Sequence, residues 1–171
     1  MVSAALDVVL EPEEALAVVE PCYAATQDLF LEYGLNRLQK TQIRCAPWVH
    51  DSPRHFAAYS IEGDYIVVAP ELVELPTDTV FAILAHELGH AADFLYPARY
   101  VLHDSGIQDR GEPEDTKQWR KWLNGWKARS DDDVERTADA IGSAVMGVAI
   151  GYCGPCHLQC FGGAQRPTWL R

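Results

Sequence analysis

A chain of 171 residues, 48% hydrophobic and 23% charged, is long enough to bury a substantial core and most simply forms one domain. Its formal net charge of −11 repels phosphate, which argues against nucleic acid or an anionic membrane surface as a partner. No apolar run reaches the roughly eighteen residues of a membrane span, the acidic start is unlike a signal peptide, and an odd five cysteines, three of them crowded toward the end, do not suggest a secreted disulfide framework. A reducing, cytoplasmic setting is therefore expected.

In chain order, Pro12 with Glu13 and Glu14 behind it opens a helix over 12–20, because a first-turn proline and negative charge both suit a helix amino terminus. Pro21 is expected to break or kink it, with a second helix from Cys22 to about Leu38 carrying Leu29, Phe30, Tyr33 and Leu38 on one stripe. Gln42–Cys45 reads as a short strand. Residues 55–61 and 65–69 read as two strands joined by a turn at Glu62-Gly63-Asp64.

Thr77 or Asp78 is the expected cap of a helix running to about Leu95, ended by Pro97. Residues 98–116 look irregular and polar. A short helix over about 115–128 follows, and then one from Val134 to about Ile150, capped by Asp131-Asp132-Asp133. The expected division is amino-terminal helices over 1–40, a core over 41–150 and a Cys-rich tail over 151–171.

Within the helix that starts near Thr77 lies His86-Glu87-Leu88-Gly89-His90. Histidines four apart on a helix fall on one face about one turn apart, where two imidazoles can hold one metal ion. A carboxylate next to the first histidine can reach a water on that ion, the arrangement of a zinc hydrolase. Two bland alternatives stand beside this: surface histidines, or core histidines on an amphipathic helix.

A catalytic zinc needs a third protein ligand and one open position. Histidine is absent at the two places where a third imidazole would follow on the same helix, since Phe94 and Tyr96 stand there. Asp93 shares the helix face and could orient a ligand or face solvent. A better candidate lies downstream, where Glu135 and Asp139 are four apart on one helical face. Glu135 could bind the metal while Asp139 accepts the free N–H of a ligating histidine, fixing its tautomer. The alternative is that Glu135 only serves the helix dipole and Asp139 faces water.

At these residues the chain resembles the gluzincin zinc metallopeptidases, and its run from Ile66 through Glu71-Leu72 to His90, with Glu135 and Ala138, looks like the small ImmA/IrrE-type peptidases. The resemblance covers roughly residues 60–150. It implies an α+β, zincin-like fold with a small, mostly antiparallel sheet packed on helices. It implies His86, His90 and Glu135 as zinc ligands, Glu87 as catalytic base and Asp139 behind a ligand. It also implies that the strand Ile66–Ala69 pairs with an extended peptide, against which stands an ordinary core strand.

The function expected is a zinc-dependent endopeptidase acting on a peptide or protein. The alternatives are a zinc-binding regulatory module with little hydrolysis, or a zinc hydrolase of a non-peptide amide. Tyr96, His103, Tyr152 and His157 are candidates for a second oxyanion donor. Trp119, Trp122 and Trp126 form a stripe among Lys117, Arg120, Lys121, Lys127 and Arg129, best read as a helix packing its tryptophans on the domain. In the tail, Cys153, Cys156, His157 and Cys160 could make a structural zinc site, form a disulfide or stay free. Cys22 and Cys45 read as ordinary buried cysteines.

Overall fold

The computed structural model describes residues 10–47, 56–96, 116–148 and 150. Among them are four α-helices, two short 3₁₀ helices and three strands, a mixed α+β arrangement. Helix α1 spans Pro12–Glu32 and places Ala15, Val19, Tyr23, Thr26 and Phe30 in the core, a spacing of three and four that makes one stripe. It runs through Pro21 without ending. Proline there removes the amide bond to the carbonyl of Ala17. Both residues lie on the exposed side, so water can serve that carbonyl while the buried stripe holds the helix together. Gly34, at φ 103°, then turns the chain, and a 3₁₀ helix over Asn36–Lys40 stands where continued α-helix was expected.

Strands β1 (Gln42–Cys45), β2 (Ala57–Ser60) and β3 (Tyr65–Val68) form one sheet in the order β1-β3-β2. β3 pairs antiparallel with β2 through the expected turn, and parallel with β1. The sheet is thus evenly mixed rather than mostly antiparallel. β3 is the central strand, so it has no open edge to offer a peptide. Asp64, at φ 47°, anchors the turn: its carboxylate accepts from Thr41 Oγ1 at 2.8 Å and Tyr59 Oη at 3.1 Å. Tyr23 donates its hydroxyl to Thr41 O at 2.6 Å, and Gln27 donates to Leu38 O at 2.6 Å, which ties α1 to the start of β1. Burial, with Asp64 nearby, raises both tyrosine pKa values, so the two phenols stay neutral donors.

After a 3₁₀ turn at Pro70–Glu74 comes α2, Thr77–Leu95. Its cap position is Pro76 rather than Thr77 or Asp78, and Asp78 instead accepts from the Thr79 amide at 2.9 Å. Every residue from Leu84 to Phe94 is buried. A helix buried all round is ordinarily apolar, yet this stretch contains His86, Glu87, His90 and Asp93. Each polar group there needs a partner or a task.

Helix α3 spans Thr116–Lys127 and α4 spans Asp131–Met146. The cap of α4 is Ser130, whose Oγ accepts from the Asp133 amide at 3.3 Å, and the three aspartates fill the first turn instead of capping it. Gly147, at φ 67°, ends the helix a few residues before the expected stop. Val134, Ala138, Ile141, Gly142 and Met146 are its buried stripe.

That stripe packs on α2 with little between the two backbones. A Cβ at Gly89 would stand 2.3 Å from Ala138 O, and one at Gly142 would stand 3.0 Å from Ala85 O. Four residues forward on α2 match four back on α4, so the pair is antiparallel. The close approach brings the flank of α4, with Glu135 and Asp139, over the histidine face of α2.

Candidate metal centre

Three side chains converge at this crossing. His86 Nε2 lies 3.0 Å from His90 Nε2 and 3.0 Å from Glu135 Oε2, and His90 Nε2 lies 3.5 Å from Glu135 Oε2. The two rings meet edge to face, with centroids 4.6 Å apart. Three donors at metal–ligand distances of about 2.0–2.1 Å in a tetrahedron stand about 3.3 Å from one another. The three separations bracket that value. Neighbouring positions of an octahedron at similar bond lengths stand about 3.0 Å apart, so the spacing selects the ligand set and not the ion. Among the described residues, this is the one group of His, Cys, Asp and Glu that could hold a metal ion.

Asp139 sits one turn beyond Glu135, and its Oδ1 lies 2.8 Å from His86 Nδ1. An ionised carboxylate only accepts, so Nδ1 carries the proton and Nε2 faces the cluster. Burial opposes charge on His86, but Asp139, Glu135 and Glu87 outweigh it and push its pKa up to about 10. Burial likewise opposes charge on Glu135, while the two imidazoles hold its carboxyl well below the usual carboxylate range. The metal-free centre is therefore an imidazolium between carboxylates.

That charge state has two consequences. Because the folded pKa of His86 exceeds its ordinary 6.5, its stabilisation of the metal-free fold is fully present below pH 6.5 and is lost as pH rises toward 10. A metal ion must also displace the proton on Nε2. Loading zinc at pH 7 should release about one proton per ion from His86, and apparent affinity should rise about tenfold per pH unit between 7 and 9. Titration in buffers of different ionisation enthalpy counts that proton. No release at pH 7 would show that His86 is neutral there.

Glu87 is 7% exposed, forms no hydrogen bond with a described residue and is not one of the three donors. It is nevertheless close enough for its charge to help raise the pKa of His86. Asp93 does not face solvent, and it stands outside the three-donor group. It is buried and forms an ion pair with Arg129, whose other nitrogen donates to Asp133 O at 2.9 Å and Thr137 Oγ1 at 2.6 Å. Burial still holds the Asp93 carboxyl above its ordinary value, in spite of Arg129. Sequence reading missed this bracket; its one signal is a carboxylate in the middle of a helix buried on every side.

No family model and no curated protein matches the chain.

Of the remaining expected site residues, Tyr96 is buried, its hydroxyl accepts from the Arg37 amide at 2.8 Å, and its ring lies under the Arg37 guanidinium. It ties the end of α2 to the first 3₁₀ helix instead of serving the metal cluster. His103, Tyr152 and the tail group Cys153, Cys156, His157 and Cys160 lie outside the described residues. Trp126 packs edge to face on Phe94, with ring centroids 5.9 Å apart, as the core-facing reading expects. The side chains of Trp119 and Trp122 lie outside the described residues. Cys22 and Cys45 are free and half-buried rather than fully buried. No helix among the described residues is long and apolar enough to cross a membrane.

Proposed function

We propose that this protein is a zinc-dependent metallopeptidase with a zincin-like domain, using His86, His90 and Glu135 as zinc ligands. The observation that carries the reading is the Glu87 carboxylate, without a hydrogen-bond partner among the described residues, near three donors spaced as a metal requires. Asp93, His86 and His90, buried on the same helix, are all engaged, so Glu87 stands out as the group left for chemistry. The likeness of His86–His90 and Glu135 to the gluzincin pattern supports the same reading.

Zinc bound there would acidify a water and polarise the carbonyl of a peptide. Glu87 accepts a proton from the attacking water and returns it to the leaving amine. Asp139 keeps the proton of His86 on Nδ1 and the ring oriented. Burial of α2 excludes bulk water from these groups, which strengthens their fields. The substrate is a peptide or protein, and the free thiols of Cys22 and Cys45 fit a reducing, cytoplasmic setting.

Metal analysis of the purified chain tests the ligand set. Glu135→Ala should lose one bound zinc relative to the unaltered chain. Its affinity should fall by more than the roughly 10- to 100-fold expected from removing an outer partner such as Asp139. Cleavage of a mixed peptide library should stop with a chelator and return with zinc. Equal zinc content in both chains, or cleavage indifferent to chelation, would overturn the proposal.

A further inference from the structure

Arg129 lies between α3 and α4, and its guanidinium spans the two helices that supply the metal ligands. One nitrogen pairs with Asp93, three residues past His90 on α2. The other donates to Asp133 O at 2.9 Å and Thr137 Oγ1 at 2.6 Å, two residues before and two after Glu135. Thr137 Oγ1 in turn donates to Asp133 O at 2.6 Å, so the two α4 contacts act as one unit. The Asp93 carboxylate is 1% exposed, and the buried indole N–H of Trp126 lies close enough to help hold its charge, though without the geometry of a full hydrogen bond. The planar five-donor fork of arginine can hold oxygens on both helices at once, which a lysine cannot reproduce.

Glu135 needs this help because of where it sits. The first turn of α4 is three exposed aspartates, and Val134 is the only buried side chain before Ala138. Helix ends fray, and the aspartates of this turn favour the helix dipole without tying the turn to α2. The close backbone contact of α4 with α2 at Gly89 lies at Ala138, three residues beyond Glu135.

We propose that Arg129 is a positioning residue of the metal centre: bridging Asp93 to Asp133 and Thr137, it sets the distance of Glu135 from His86 and His90 and thereby the tightness of metal binding. This rests on those three residues being the ligands. Ordinary packing would give Arg129 stability alone, with no effect on the metal once the chain is folded.

Cobalt(II) alone is the probe, because its visible bands report coordination geometry as well as occupancy. The variant is the double substitution Arg129→Met with Asp93→Leu, which removes both charges and leaves neither buried without a partner. We expect cobalt to bind about tenfold or more weakly, within the range seen when outer-sphere partners of metal ligands are lost, and its bands to shift, while the metal-free chain keeps its helical circular dichroism. Arg129→Lys retains the charge opposite Asp93 but not the fork, and should weaken cobalt severalfold with the same change in bands. It keeps the inference testable should the double variant fail to fold. Unchanged cobalt affinity and spectrum in a folded Arg129→Lys chain would overturn it. If the unaltered chain takes up no cobalt or zinc, it is the metal-centre reading that fails. Normal uptake by both chains leaves that reading standing and removes only the role of Arg129.

Discussion

Glu87→Gln should leave metal content unchanged and cut peptide turnover by about 10²- to 10⁴-fold, the usual contribution of a positioned general base. The substitution keeps the shape of the side chain and removes its ability to take a proton. Glu87 is not among the three donors, so the ligand set survives. Its carboxylate has no hydrogen bond with a described residue, so no partner among them is orphaned and stability should change little. One side effect is expected. Loss of the Glu87 charge removes one of the forces that raise the pKa of His86, so in the metal-free chain the proton on that ring should leave at lower pH. Equal turnover in a zinc-loaded Glu87→Gln chain would end the peptidase reading, while loss of zinc would show Glu87 to be a ligand.

Gly89→Ala should destabilise the fold by about 3 kcal/mol or more and abolish metal binding, although alanine is the better helix former by about 1 kcal/mol. The new methyl carbon would stand 2.3 Å from Ala138 O, 2.9 Å from Ala138 C and 3.0 Å from Ala138 Cα. Those are backbone atoms, so no side-chain rotation relieves the clash, and α4 must retreat by about the overlap. Such a shift carries Glu135 and Asp139 away from the histidines, which they now meet at 3.0 Å and 2.8 Å. Gly125→Ala on α3 is the control. Nothing lies within 4 Å of a Cβ there, so it should gain about 0.5–1 kcal/mol from helix propensity. Denaturant unfolding compares the two, and a stable, metal-binding Gly89→Ala chain would mean that the helices can separate without cost.

Periodicity and turn chemistry revealed α2, α3, α4 and the β2–β3 hairpin, because each is determined by residues close in the chain. Glu135 and Asp139 were legible too, since one helical face and an incomplete ligand set are both local patterns. The rest depended on distant partners. The parallel pairing of β1 with β3, which makes β3 central, is set by residues more than twenty positions apart. The break expected at Pro21 does not occur, because its effect depends on which side of α1 faces water, and that depends on where the core lies. Ser130 won the cap from the aspartates by geometry at one amide. Asp93 could not be assigned without Arg129, thirty-six residues later.

The backbone contact at Gly89 bears on what the ion does for the protein. Where a metal holds a small domain together, removing it unfolds the chain, and each loading event repeats the cost of folding. Here α2 and α4 touch through their main chains, and His86, His90 and Glu135 already stand in place. Binding then needs little more than the exchange of a proton for a cation. On the proposed reading, such a chain would be emptied and refilled without unfolding, and its loaded fraction would follow the supply of the ion around it.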